Sequence, residues 1–188
     1  MRIAVSGTHC SGKSTLAHDF AAAHSDFVHL PEPYDLIEEL YGEPLGAEPT
    51  ADDFFRQLEV SVETLRDYPS GARLIAERSP LDFLAYLLAL GDLGRDRHSA
   101  PIDPAATLAA SGIEHIDLLV VLPLNDADAI DAPEEEDLAL RDAMNDRLLE
   151  IITTDPFDLL SGGRPRVIEV HGSRGARLAA IERAIVAC

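Results

Sequence analysis

The chain has 188 residues, 46% of them hydrophobic, and sets 34 acidic side chains against 15 basic ones for a formal net charge of −19. That length suits one domain with a substantial core, and that charge would repel a phosphate backbone, which argues against a nucleic-acid polymer as partner. The longest apolar runs fall well short of a membrane span, the chain enters a strand at once rather than a leader, and two cysteines (Cys10 and Cys188) make neither a disulfide framework nor a zinc set, so a cytoplasmic protein without membrane attachment is expected.

The elements follow in order. Arg2–Ser6 is a short apolar run that reads as a buried strand, and residues 14–23 have the spacing of an amphipathic helix, with Leu16, Phe20 and Ala23 on one face. A second strand is predicted over 26–30, stopped by Pro31 and Pro33, then a short helix over 35–41 and a loop over 42–49. A long helix is expected over 51–68, with Asp52 near its start and an inward stripe of Phe55, Leu58, Val62 and Leu65. The third strand falls at 72–76 and an apolar helix at 80–90, closed by Gly91. Residues 92–104, with Arg95, Asp96, Arg97 and His98, read as a mobile connection, and a helix near 103–111 leads to a fourth strand at 117–122. After the polar stretch 125–131, Pro133 and the acids Glu134–Glu136 read as the start of a helix running to about Thr153, since proline suits the first turn and carboxylates suit the positive end of the dipole. A fifth strand at 165–170 and a helix over 173–186 close the chain. Five strands alternating with helices predict a three-layer α/β/α fold on a five-stranded parallel sheet, and with no internal repeat or dividing linker, residues 1–188 read as a single domain.

The first turn carries the clearest chemistry. Gly7-Thr8-His9-Cys10-Ser11-Gly12-Lys13-Ser14 fits G-x-x-x-x-G-K-[ST], the phosphate-binding loop, and lies between a predicted strand and helix as that motif requires. Lys13 is the only lysine beside fourteen arginines. The position it keeps needs a compact, flexible ammonium that can follow terminal phosphates, a task a planar guanidinium does poorly. Loop amides and the helix N-terminus, with Thr15 just inside it, would converge on the phosphates. Lys13 would reach the β- and γ-phosphates and the Ser14 hydroxyl would ligate Mg²⁺, which makes ATP and Mg²⁺ the expected ligands. Cys10 reads as loop filler, or as a thiol made oxidisable by the nearby helix terminus.

In open parallel sheets reacting groups gather at the carboxyl ends of strands. Those ends read Pro31-Glu32-Pro33, Glu77-Arg78-Ser79-Pro80 and His171-Gly172-Ser173-Arg174. GTHCSGKST, then the Glu-Pro at 32–33 and the Glu-Arg-Ser at 77–79, resembles the deoxynucleoside kinase and thymidylate kinase branch of P-loop kinases. The run ERSPLDFLAY is similar also to the nicotinamide riboside kinase domain of NAD-regulator proteins and to small AAA-type predicted ATPases. The resemblance implies a general-base role at the acceptor hydroxyl for Glu32, Mg²⁺ for Glu77, and charge neutralisation between acceptor and phosphate for Arg78; otherwise Glu32 is a loop acid and Arg78 only a turn-fixing partner of Glu77.

The same resemblance implies a helical lid over roughly 124–154 carrying Arg141 or Arg147, which lie six apart, so at most one faces the phosphates. It implies that Gln57 reads an acceptor base edge, although Thr64 stands where the family carries an arginine. Asp82 either meets a substrate hydroxyl or caps its helix, and Arg174 would stack on adenine or lie on the surface. Phe54, Phe55, Phe83 and Tyr86 are stacking candidates or core. The implied activity is an ATP–Mg²⁺ kinase acting on a nucleoside, nucleotide or related small-molecule acceptor. The alternative is a nucleotide-dependent regulatory ATPase or switch with no such acceptor. Apolar helix surface over 51–68 and 80–90 fits a homodimer and core packing equally.

Overall fold

The computed structural model describes residues 1–42, 49–95, 102–125 and 137–186. Along them run β1 (Arg2–Ser6), α1 (Lys13–Ala23), β2 (Val28–Leu30), α2 (Pro33–Tyr41), α3 (Ala51–Asp67), β3 (Leu74–Glu77), α4 (Pro80–Asp92), α5 (Ile102–Ile113), β4 (Leu118–Val121), α6 (Leu138–Thr154), β5 (Arg166–Glu169) and α7 (Arg174–Val186). The strands form one sheet in the order β2-β3-β1-β4-β5, and every neighbouring pair is parallel. The expected α/β fold is therefore the one observed.

Period-two alternation builds the layers. Ile3, Val5, Leu118 and Val120 point to one face, where they pack with Leu16 and Phe20 of α1 and Ile181 of α7. Ala4, Leu119 and Val121 point to the other, against Leu58 and Val62 of α3, Leu84 of α4 and Leu148 of α6. A sheet covered on both faces explains why β1, β3 and β4 are buried throughout, whereas the edge strands β2 and β5 are short and partly open.

Helix ends have local causes. Asp52 lies in the first turn of α3 as expected, and the helix is capped by a reciprocal pair, in which the Thr50 hydroxyl accepts from the Asp53 N–H and the Asp53 carboxylate accepts from the Thr50 N–H. Phe54, rather than Phe55, is the fully buried aromatic of that helix. α4 continues past Gly91 to Asp92. The Pro133–Glu136 helix start lies outside the described residues, as do the loop over 43–48, residues 96–101 and the polar stretch 126–131. Described α6 opens at Leu138 with the Asp137 carboxylate accepting from the Leu140 N–H at 3.1 Å. Among the described residues no helix is long and apolar enough to cross a membrane.

Candidate functional site

β1 is the central strand, and its chain leaves the sheet at Ser6 into the glycine loop. A Cβ on Gly7 would stand 2.7 Å from the Leu122 carbonyl oxygen and 2.8 Å from the Ser11 hydroxyl, so only glycine fits there. Gly12, with φ 92°, caps α1 in the left-handed region, and Cys10 joins it there with φ 53°. These turns close the loop over the start of α1. The Lys13 ammonium folds back inside it, donating to the Thr8 carbonyl at 2.9 Å and standing 3.6 Å from Glu32 Oε1.

Two struts hold the loop. Asp82, fully buried one turn into α4, accepts from the Gly7 N–H at 2.9 Å and the Ser79 N–H at 2.8 Å, with the Ser6 hydroxyl 2.6 Å away. It thereby caps its own helix and ties that helix to the loop. With no surface of its own it is helix cap and loop strut, not a contact for substrate. On the other side Arg177 of α7 donates to the Ser11 carbonyl at 2.8 Å and to the Gly172 carbonyl at 2.9 Å. Sequence reasoning passed over Arg177; nothing in its local pattern separates it from Arg174, one turn earlier.

The carboxyl ends of β2 and β3 bring Glu32, Glu77 and Arg78 to the loop. Arg78 is buried and adopts a left-handed backbone, φ 69°. Its Nε donates to Glu32 Oε2 at 2.9 Å, Nη1 to the Gly7 carbonyl at 3.3 Å and Nη2 to His9 Nε2 at 3.4 Å. The guanidinium also lies 5.3 Å from the centroid of the Tyr86 ring, which stacks in turn on Phe54. Phe54, Phe83 and Tyr86 are core residues, and Phe55 packs half-buried against them. Arg78 is thus paired with Glu32 across the cleft, not with its neighbour Glu77.

The charges are strongly coupled. Burial alone would raise the Glu32 pKa, but the Arg78 and Lys13 cations outweigh it and bring it to about 2. Burial and the Arg78 charge lower Lys13 to about 8, with Glu32, Asp82 and Glu77 offsetting only part. The protein around its ring, then Arg78 and Lys13, holds His9 well below the ordinary imidazole value, at about 3. The Arg78 contact agrees, because a guanidinium can only donate and His9 Nε2 must keep its lone pair. Opposing carboxylates hold Arg78 firmly cationic despite its burial.

Of the two lid candidates, Arg141 donates to the His9 carbonyl at 3.0 Å. Arg147 pairs with Asp92 and Glu150 instead. Asp92 ends α4, so about 18 Å of helix separates it from Pro80 at the loop end. Arg174 is exposed and pairs with Asp19 of α1. Gln57 is buried, and its amide donates to the Asp53 carbonyl of its own helix at 3.4 Å. Ser14 and Thr15 are exposed at the start of α1. A cleft open to solvent lies beside Arg78 and Glu77 and is lined also by Leu36, Ser61 and Thr64.

The residues fit a triphosphate. The Ser11 hydroxyl is buried in the loop without a hydrogen-bond partner among the described residues, which phosphate oxygens would supply. Glu77, 4% exposed, faces two imidazoles that sequence reading missed. His29 Nε2 lies 2.8 Å and His18 Nδ1 3.9 Å from its Oε1.

The "AAA domain" family model matches residues 2–166. Among solved structures, deoxyadenosine kinase from M. mycoides with bound dATP is 15% identical with a TM-score of 0.70, covering 99% of each chain. Thymidylate kinase from Candida albicans is 16% identical with a TM-score of 0.69, over 99% of this chain and 91% of that one. NadR protein in complex with NAD and AMP-PNP is 17% identical with a TM-score of 0.66, over 97% of this chain but 48% of its own length. Among curated proteins none matches the sequence. These likenesses establish the P-loop kinase fold.

Proposed function

The chain belongs to this AAA-domain family, and on that premise we propose that it is an ATP- and Mg²⁺-dependent phosphotransferase acting on a nucleoside, nucleotide or related small molecule. One observation carries the reading. Glu32, 21% exposed, stands between Lys13 and Arg78 at the mouth of the phosphate loop, beside an open cleft. A motor or switch needs a phosphate grip; a carboxylate held at the rim by two cations serves an incoming hydroxyl as well.

Phosphoryl transfer is mostly positioning and charge stabilisation. The amides from Gly7 to Thr15, with the Lys13 ammonium, grip the polyphosphate. Lys13 exchanges its contacts with Thr8 and Glu32 for the terminal phosphates. That exchange frees one oxygen of Glu32 to accept the acceptor's hydroxyl hydrogen bond and, as the bond to phosphorus forms, its proton. Arg78 keeps the carboxylate oriented and neutralises charge between acceptor and phosphoryl group. Arg141, already at the His9 carbonyl, reaches the transferring group from α6, the described part of the expected lid, and excludes water. Mg²⁺, held by the Ser14 hydroxyl and Glu77, would supply charge neutralisation on the phosphate oxygens. The acceptor enters the cleft lined by Ser61 and Thr64, with Gln57 on the same helix. Residues 1–188 act as one kinase-like unit.

The family match favours one second reading. An AAA-domain model over residues 2–166 suits a regulatory ATPase with no acceptor. A panel of nucleosides, nucleoside monophosphates and nicotinamide riboside, scored for acceptor-stimulated ADP release, separates the two. Stimulation by one acceptor supports the kinase, and slow release that none stimulates removes it.

A further inference from the structure

Glu77 is a buried carboxylate whose visible partners are imidazoles from two other elements. His29 arrives from the edge strand β2 and His18 from α1, one turn beyond Ser14. The two rings lie with centroids 4.5 Å apart, and the ligand-capable atoms of all three residues fall within 4.8 Å of one another. Donor atoms sharing a zinc-class ion, each ~2.0–2.2 Å from it, stand roughly 3–3.5 Å apart. The 2.8 Å and 3.9 Å separations to Glu77 bracket that spacing. His18 lies on an exposed face, so its side chain is free to make the small remaining movement.

His18 Nδ1 also lies 2.9 Å from the Ser14 carbonyl, a contact that an ion bound at that nitrogen would displace. At His29, an ion would replace the proton now shared between Nε2 and Glu77 Oε1, releasing it to solvent.

We infer that His18, His29 and Glu77 form a binding site for a divalent transition-metal ion in the nucleotide-free chain, where Glu77 is not engaged by the Mg²⁺ of ATP. Two imidazoles and one carboxylate select zinc, cobalt or nickel over magnesium, which prefers oxygen ligands and keeps its waters. Three protein ligands leave a coordination position open to water. His18 lies one turn beyond Ser14 on α1, so an ion here adjoins the first turn of the phosphate-binding helix.

The test is a titration of the full chain with Co²⁺, without nucleotide, read by visible d–d absorption. One saturable equivalent is expected, with no thiolate charge-transfer band and with the spectrum retained at millimolar Mg²⁺. His18→Ala and His29→Ala should each weaken Co²⁺ binding at least tenfold, while His171→Ala, at an exposed histidine paired with Glu169, leaves it unchanged. Circular dichroism checks that each variant is folded; the exposed His18 carries the decision if His29→Ala is not. Absence of saturable binding, full displacement by Mg²⁺, or affinity unaltered by His18→Ala would overturn the site.

Discussion

The Arg78 guanidinium and the Glu32 carboxylate, 46 residues apart in sequence, meet at 2.9 Å across the mouth of the phosphate loop. Arg78 reaches this contact from a left-handed backbone that a bulky side chain adopts only when its surroundings hold it there. Replacing it by methionine leaves the Gly7 carbonyl without that donor and Glu32 with Lys13 as its remaining cation. Breaking a buried pair of this kind costs about 3–5 kcal/mol. Arg78→Met should show that loss in urea unfolding, and Arg78→Lys most of it, since an ammonium cannot span the three contacts. Wild-type stability in Arg78→Met would remove the pair from the framework.

Lys13→Ala should abolish turnover and weaken ATP binding, whereas Glu32→Gln should keep ATP affinity within a few fold and lower acceptor phosphorylation about 10²–10⁴-fold. Calorimetric binding and an ADP-release assay on both variants provide the check. A fully active Glu32→Gln would end its role as base.

The lowered Lys13 pKa gives a pH signature. Above about pH 8 the free protein loses the ammonium charge, and nucleotide binding must take up a proton, so affinity falls by up to about tenfold per pH unit. Lys13→Arg, always charged, should lack the inflection. For stability the sign is opposite. Between about 8 and the model-compound value of 10.5 the unfolded chain holds more protons than the folded one, so this group makes unfolding harder as pH rises. A flat affinity profile from pH 7 to 10 would contradict the shift.

Arg141 and Arg147 should separate cleanly. Arg141→Ala should reduce turnover at least about tenfold, in line with losing one charge-stabilising donor. Arg147→Ala removes surface pairs with Asp92 and Glu150 and should leave kcat within about twofold, because exposed pairs contribute little. Equal losses in steady-state assays would reassign Arg147.

Asp82→Ala should cost about 3–5 kcal/mol and weaken ATP binding, since it strands the Gly7 and Ser79 N–H groups and the Ser6 hydroxyl in a fully buried place. Thermal melts and nucleotide titration of the variant measure both effects; unchanged nucleotide affinity in the folded fraction would show that the strut does not shape the loop.

Much of this protein is legible residue by residue. The octapeptide around Lys13, the apolar strands and the helix stripes encode their structure locally, because glycine torsions, period-two alternation and helical spacing act within a few residues of chain. Those features were sufficient for the strand order's parallel character and for placing Glu32, Glu77 and Arg78 at strand ends. Long-range partners were not legible. Nothing near Arg78 in sequence selects Glu32 over the adjacent Glu77, and nothing near Asp82 points to the Gly7 N–H. Arg174 and Arg177 differ by one turn of helix, yet one pairs at the surface with Asp19 and the other holds the Ser11 carbonyl. His18 and His29 were passed over because no ligand spacing links them; they meet only when α1 folds back across β2 and β3. Sequence alone determined the phosphate grip and the layered sheet, since both follow from local torsion and periodic burial. Only the tertiary structure decided which charges face one another, since low-dielectric pairing depends on separations of a few ångströms between segments that the chain keeps far apart.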